Sequence, residues 1–196
     1  MVRALNAGAL PLPLSLVEQK TIEATLGVSN IQKSIFAGII GLVSVAVFMI
    51  ALYKKEGVVA VFSLLLYGIY SLALYKTIGV VMSLSGIAGF ILSVGMAVDS
   101  NILISERIKE ERFRLGDERR AVKVGFFKAL SAIRDANVNT LLVCFVLFNP
   151  FNFSFLPQFG LVKGFALTLA LGVLVSLFTG VFITKNILWK LYKISS

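Results

Sequence analysis

Five stretches of this chain are long and apolar enough to cross a lipid bilayer, and this pattern limits the folds available to it. The stretches cover residues 34–53, 58–77, 84–104, 129–148 and 165–187. A membrane-spanning helix needs about 20 apolar residues, and within lipid only helices and closed barrels satisfy every backbone hydrogen bond. Hydrophobic residues make up 58% of the 196 residues and charged residues only 15%. The sequence therefore predicts an all-α integral membrane protein, a bundle of about five transmembrane helices.

Basic residues are distributed unequally between the connections of these predicted spans. One side of the membrane receives 14 Lys and Arg residues and the other side five, within a chain of net charge +9. Because cytoplasmic loops carry the excess of Lys and Arg, we expect the 105–134 loop and the C-terminus in the cytoplasm. The chain would be a multi-pass protein of the cytoplasmic (inner) membrane with its N-terminus outside. Residues 34–196 would form the transmembrane domain, and residues 1–33, which contain no signal peptide, an extracytoplasmic segment.

The predicted cytoplasmic loop contains a boundary between two helices. Gly116 can end one helix, and Asp117 can cap the N-terminus of the next. Apolar residues then recur at helical spacing: Val122, Phe126, Ala129, Leu130 and Ile133. This stripe predicts an amphipathic helix along the cytoplasmic interface that leads directly into the fourth span. The loop is either a positively charged stop-transfer segment alone or also a docking surface for a protein partner or anionic lipid.

Asp99 is the one acidic residue of the third predicted span, 84–104, which also contains no basic residue. Hydrocarbon cannot solvate a carboxylate, so Asp99 must be neutral, paired, or face a wet cavity. Acids inside a membrane are costly and commonly serve the movement of protons or ions. We therefore expect Asp99 to be a proton-carrying site. The alternative is a buried Asp that only hydrogen-bonds to a neighbouring helix.

The same span carries a stripe of small and polar residues at four-residue spacing. Its members are Ser85, Gly89, Ser93, Ala97, Asn101 and Ser105. Small side chains at this spacing let a second helix approach closely, so we expect the first four members to form a helix-packing surface. Asn101 is expected to add polar support. At about 100° per residue, Asp99 lies roughly opposite Ala97, on a different face of the helix.

The fourth span is polar in its first half. Asp135 and Asn139 can share one helix face, and Asn137 and Thr140 add further hydrogen-bonding groups. Asp135 is either a second proton-relay group or simply the ion-pair partner of the adjacent Arg134. We expect the two amides and Thr140 to support the relay. The chain contains no His, one Cys, and no motif for phosphate binding, nucleophilic catalysis or metal ligation. It therefore predicts neither an enzyme nor a metal site.

Several of these segments resemble a known family of membrane proteins. Residues 95–110 read GMAVDSNILISERIKE and closely resemble the motif GMAVDANVLIFERIRE of the SecD/SecF protein-export family. Similar matches are found at residues 135–140 (DANVNT against DANVTT), 162–169 and 7–11. The resemblance covers essentially the whole chain and is closer to the SecD branch than to SecF. The chain departs from the pattern at Ser100, Ser105 and Asn139, and its 149–161 loop is longer than the family's glycine-rich turn.

This resemblance implies the C-terminal transmembrane part of a SecD-type subunit, half of a transmembrane core of the resistance-nodulation-division superfamily. It implies assistance of late protein export by the proton gradient, with Asp99 and Asp135 as the proton relay, protons as coupling ion and no other cofactor. The implied partners are a SecF-like homologous subunit, a SecY-type channel, exported unfolded polypeptides and membrane lipids, but no nucleic acid. Residues 1–33 would be the end of a periplasmic domain that this chain lacks. The alternatives are a proton-coupled exporter of small molecules or lipids from the same superfamily, and a non-transporting translocon scaffold or degenerate fragment.

Overall fold

The structure is a computed structural model that describes residues 24–80, 82–151, 153 and 160–194. Every regular element in these ranges is helical, so the predicted all-α membrane fold is confirmed. Four helices are long and apolar enough to cross a membrane. They are α1 (Ala24–Ile78), α2 (Leu84–Leu115), α3 (Glu118–Phe148) and α4 (Gly160–Leu191). The family match expected at residues 7–11, and most of the predicted extracytoplasmic segment, lie outside the described residues.

Helix α1 contains both of the first two predicted spans. It is interrupted at Lys54, which has φ 49° and ψ −110°. A Cβ on Gly57 would lie 2.9 Å from Ile50 Cα, so only glycine lets the two halves of α1 approach this closely beside the interruption. The predicted number of about five spans is therefore not confirmed. The described residues contain four long apolar helical segments, and within the first of them residues 34–53 and 58–77 form two helices that meet at the kink at Lys54.

Gly116 and Asp117 form the predicted boundary between α2 and α3. Gly116 has φ 67°, in the left-handed region, and its N–H donates to the carbonyl of Arg112. The Asp117 carboxylate accepts hydrogen bonds from the N–H groups of Arg119 and Arg120. Both predicted capping roles are confirmed. Helix α3 begins at the next residue and runs without interruption through the predicted fourth span.

The apolar stripe at the start of α3 contacts protein. Val122, Phe126 and Ala129 are at most 1% exposed, whereas Lys123 is exposed, so the segment is amphipathic as predicted. The stripe packs into a cluster with residues of α1, α2 and the end of α4: Val59, Ile104, Ile108, Leu188 and Tyr192. Its apolar face therefore stabilises the end of the bundle rather than contacting lipid headgroups.

Helix α2 packs against the other three helices, and its stripe of small residues faces α4. A Cβ on Gly89 would lie 2.7 Å from the carbonyl oxygen of Phe165 in α4. Further along, the Ser93 side chain fills the space beside Gly172, and Ser93 Oγ lies 2.6 Å from the Tyr67 hydroxyl oxygen. Small side chains at these crossings allow α2 and α4 to approach at backbone distance.

A second close crossing joins α2 to α3. A Cβ on Gly125 would lie 2.7 Å from Ile108 Cα, so the glycine sets the distance between these two helices. With one face of α2 against α4 and its end crossing α3 at Gly125, the orientation of the middle of α2 is fixed. Asp99 lies in that middle section, beside α3.

Candidate functional site around Asp99

Asp99 lies on the exposed side of the bundle, in a groove between α2 and α3. The groove has a volume of about 250 Å³. Its lining comes from two facing stretches of helix: Met96, Asp99, Ser100 and Leu103 of α2, and Ala132, Ile133, Ala136, Asn137 and Thr140 of α3. Asp99 is the one charged side chain in this lining. The structure therefore brings together three predicted polar residues, Asp99, Asn137 and Thr140.

The Asp99 carboxylate makes no ion pair and accepts no hydrogen bond from any residue in the described ranges. In a membrane, an exposed carboxylate without a cation is unfavourable by several kcal/mol, on the order of 2.5–3.5 kcal/mol at the centre of a helix. The groove must therefore hold water or be covered by a partner whenever Asp99 is ionised. A protonated Asp99 removes most of this cost.

The polar neighbours of Asp99 use their donors within their own helices. Asn137 Nδ2 donates to the Ile133 carbonyl at 2.7 Å, and Thr140 Oγ1 donates to the Ala136 carbonyl at 3.1 Å. Ser100 Oγ donates to the preceding turn in the same way, at 2.9 Å. Hydroxyl and amide oxygens keep acceptor capacity after such bonds. Ser100 and Thr140 can therefore accept a hydrogen bond from a nearby donor, and the second N–H of the Asn137 amide remains able to donate.

Asp135 and Asn139 lie outside this groove. Asp135 is hydrogen-bonded to the adjacent Arg134, whose Nη2 is 3.1 Å from Asp135 Oδ1, and both side chains are about two-thirds exposed. Asn139 is exposed and does not line the groove. The structure thus separates the fourth-span polar residues into two groups, because Asn137 and Thr140 face α2 while Asp135 and Asn139 do not. The predicted relay from Asp99 to Asp135 has no direct side-chain contact among the described residues.

Asn101 faces away from the groove and joins a buried polar cluster with α1 and α4. Its Nδ2 donates to the Ala97 carbonyl at 2.9 Å, and its Oδ1 lies 3.2 Å from Thr184 Oγ1. Thr184 Oγ1 is also 3.0 Å from Ser63 Oγ. Thr184 ends a π-helical segment, Thr179–Thr184, inside α4. The partners of Asn101 were not predicted, because Ser63 and Thr184 are isolated hydroxyl residues in apolar sequence.

A second unpredicted cluster closes the end of the bundle that carries most of the basic residues. Glu56, at the turn of α1, is 8% exposed and pairs with Arg112 at the end of α2, with Oε1 and Nη2 2.5 Å apart. The Tyr192 hydroxyl donates to the same Glu56 oxygen. Burial together with the nearby Glu56 carboxylate raises the pKa of Tyr192 to about 12. One feature of the sequence indicates this cluster. Glu56 is a carboxylate between two predicted spans, and it needs a cationic partner once those spans pack together.

A family model describes nearly the whole chain. Residues 6–194 match "Protein export membrane protein SecD/SecF, C-terminal". This chain belongs to the SecD/SecF family. The segment that places Asp99 beside α3, residues 95–110, lies within the matched range.

Curated members of the SecD/SecF family include close relatives, each named "Protein translocase subunit SecD". The Synechocystis sp. protein is 50% identical over 94% of this chain and 38% of its own length. The Leptotrichia buccalis protein is 49% identical over 96% of this chain and 45% of its own length. The Thermobaculum terrenum protein is 46% identical over 94% of this chain and 35% of its own length. The chain therefore spans less than half the length of these relatives.

Proposed function

We propose that this chain is the membrane domain of a protein-export subunit that uses the proton gradient, with Asp99 as the group that takes up and releases the proton. The observation that carries the proposal is the position of Asp99. It is an exposed carboxylate with no cationic partner among the described residues, in a groove lined otherwise by apolar and helix-bonded polar side chains. The export role is supported by the names of the SecD relatives, which are 43–50% identical to this chain over the aligned segment.

In the proposed cycle, the two protonation states of Asp99 favour two arrangements of the groove. The neutral acid can donate a hydrogen bond to an acceptor oxygen of Ser100 or Thr140, so the groove can close. The carboxylate needs water or a cation, so the groove must open or meet a basic group of a partner. A helix movement that exposes Asp99 alternately to the two sides of the membrane then couples proton passage to conformational change.

A SecF-like homologous subunit is the proposed cover for the groove. Asp99 is open to the outside of the bundle, and the α3 side of its groove includes the exposed apolar residues Ala132 and Ala136. Such a surface suits a second helical half or lipid. A SecY-type channel and unfolded exported polypeptides complete the proposed assembly. Asp135, outside the groove and paired with Arg134, has a lesser proposed role in proton transfer at the surface.

The proposed location is the cytoplasmic membrane, with the basic end of the bundle inside and the N-terminus outside. Basic residues from three separate connections converge at one end of the structure. Lys55, Arg119 and Lys193 line one shallow pocket there. Cytoplasmic loops are enriched in Lys and Arg, so this convergence supports the proposed orientation.

A chimaera tests the proposed role of Asp99. This chain replaces the matching membrane segment of the Synechocystis SecD protein, and export of a secreted reporter is measured with and without the proton gradient. We expect Asp99→Asn to abolish the gradient-dependent part of export without loss of membrane insertion. Asp135→Asn, an equal change of charge outside the groove, should reduce it much less.

The outcome also separates the alternatives. Normal gradient-dependent export with Asp99→Asn would overturn the proposed proton site. Intact export together with loss of resistance to toxic small molecules would favour an exporter of the resistance-nodulation-division type. A chimaera that assembles with the translocon but never responds to the gradient would favour a scaffold.

A further inference from the structure

The basic end of the bundle contains a cup with a volume of about 410 Å³. It lies where the turn of α1, the last turns of α2 and the end of α4 meet. Its lining includes four basic residues, Lys54, Lys55, Lys109 and Arg112, and two acids, Glu56 and Glu118. The cup is separate from the Asp99 groove, which shares none of these residues.

The cup has an excess of positive charge that its own acids do not neutralise. Glu56 is engaged by Arg112 and by the Tyr192 hydroxyl. Lys54 and Lys55 are exposed and form no ion pair within the described part of the chain, whereas Lys109 Nζ lies 3.9 Å from Glu106 Oε1. A cleft with unpaired ammonium groups concentrates anions.

Arg112 supplies a donor that is also without a hydrogen-bond partner. Its Nη2 is occupied by Glu56, but its Nε is buried and donates to no described residue. The carboxylate oxygen Glu118 Oε1 is 3.9 Å from this Nε, beyond hydrogen-bond distance. A buried N–H without an acceptor is uncommon in a native structure. A small anion in the cup would have an oxygen acceptor to offer to it.

The position of the cup favours an anion attached to a hydrocarbon tail. The cup lies at the ends of apolar helices, where lipid headgroups meet the bundle. Leu52, in the lining of the cup and at the end of the first predicted span, is 48% exposed and lies on the side of the cup that faces the membrane. Basic pockets beside membrane helices with an apolar neighbour suit an acidic lipid headgroup, whose acyl chains continue along the helices.

We propose that this cup binds the phosphate group of an anionic phospholipid, with Lys54, Lys109 and Arg112 as its ligands and Leu52 beside the acyl chains. A free phosphate ion offers the same oxygen acceptors to the cup but has no acyl chain to contact Leu52. The site would hold a lipid where α1, α2 and α4 meet. It does not depend on the proton chemistry of Asp99.

The test uses the full chain purified in detergent and titrated with phosphatidylglycerol, with lipid binding measured by native mass spectrometry. Phosphatidylcholine, whose choline neutralises its phosphate, provides the comparison lipid. The cup variant is Lys54→Gln with Lys109→Gln. The matched control is Lys123→Gln with Lys190→Gln, which removes the same charge from exposed lysines outside the cup. Equal melting temperatures of the two variants establish that both are folded.

We expect phosphatidylglycerol to bind more tightly than phosphatidylcholine to the wild-type chain and to the control variant. The cup variant should bind phosphatidylglycerol about 25-fold more weakly, since each basic side chain near a lipid phosphate contributes about a factor of five. Inorganic phosphate at millimolar concentration should leave lipid binding unchanged. Displacement of the lipid by inorganic phosphate would show that a free phosphate is the true ligand. Equal losses in the cup and control variants, or no preference for phosphatidylglycerol, would overturn the proposal.

Discussion

Glu56 Oε1 lies 2.5 Å from Arg112 Nη2, and this ion pair ties the turn of α1 to the end of α2. The Tyr192 hydroxyl reaches the same carboxylate from the end of α4. Three helices are therefore joined by one acidic side chain. A buried carboxylate that binds two partners contributes more to folding than an exposed pair of the same charges.

Removal of the Glu56 charge should destabilise the bundle. We expect Glu56→Gln to lower the free energy of unfolding by about 2 kcal/mol, because hydrogen bonds to a charged group are weakened and Arg112 loses its partner. Thermal unfolding in detergent, followed by the fluorescence of Trp189, measures this. The control is Glu110→Gln, which breaks an exposed pair with Arg107 and should cost less than about 1 kcal/mol. Equal effects of the two variants would contradict the structural role of Glu56.

The Tyr192 hydroxyl should make stability depend on pH in the alkaline range. Its pKa is raised from 10.0 to about 12 by burial and by Glu56. Because the neutral phenol is favoured in the folded state, its contribution is complete below the unfolded pKa and is lost as the pH rises through the folded pKa. We expect the melting temperature of the wild type to fall more steeply between pH 10 and pH 12 than that of Tyr192→Phe. Tyr70→Phe, at an exposed position, should retain the wild-type slope.

The crossing of α2 and α3 should not tolerate a methyl group at Gly125. A Cβ there would meet the Ile108 backbone at 2.7 Å, and backbone atoms cannot move aside as a flexible side chain can. We expect Gly125→Ala to destabilise the chain by about 1–3 kcal/mol. Gly95→Ala is the matched control, because no atom lies within 4 Å of its Cβ position. That change should stabilise α2 by about 0.5–1 kcal/mol, and a loss of stability there would contradict the described packing.

Lys54 should be replaceable by glycine with a gain in stability. Its φ of 49° and ψ of −110° lie in a region that glycine adopts freely and lysine does not. Relief of this strain should stabilise the chain by about 1 kcal/mol. Lys55→Gly places glycine within regular helix one residue later and should destabilise by about the same amount. Opposite shifts of the two melting temperatures are the expected result, and shifts of the same sign would rule out strain at Lys54.

The features that the sequence predicted correctly depend on neighbouring residues. Gly116 and Asp117 end and begin helices through their own backbone and side-chain chemistry, so their roles were visible without the fold. The position of the break in α1 was also visible, as the gap between the spans 34–53 and 58–77, but its form was not, because one residue, Lys54, turns the chain where a short loop was expected. A single residue with unusual dihedral angles leaves almost no trace in a hydropathy pattern.

The candidate site around Asp99 was predicted only in part, because the rotation of α3 about its own axis cannot be read from neighbouring residues. The charge of Asp99 in apolar sequence indicated a special position, and helical spacing placed it away from Ala97. Which residues of α3 would face it depended on the rotation of α3, which is set by the contact between Gly125 and Ile108. That rotation turns Asn137 toward Asp99 and Asp135 away from it. The pair of Glu56 with Tyr192 joins residues 136 positions apart, a distance at which sequence pattern carries no signal.

The π-helical segment Thr179–Thr184 changes the direction in which the side chains of α4 point, although the helix itself continues. Residues before it, such as Val173, face the middle of the bundle, and residues after it, such as Leu188 and Tyr192, face the cluster at the basic end. Deletion of one residue from this segment would rotate everything beyond it by about 100°. Tyr192 would then point away from Glu56. The π-helical segment therefore determines which face of the last part of α4 packs against the other helices.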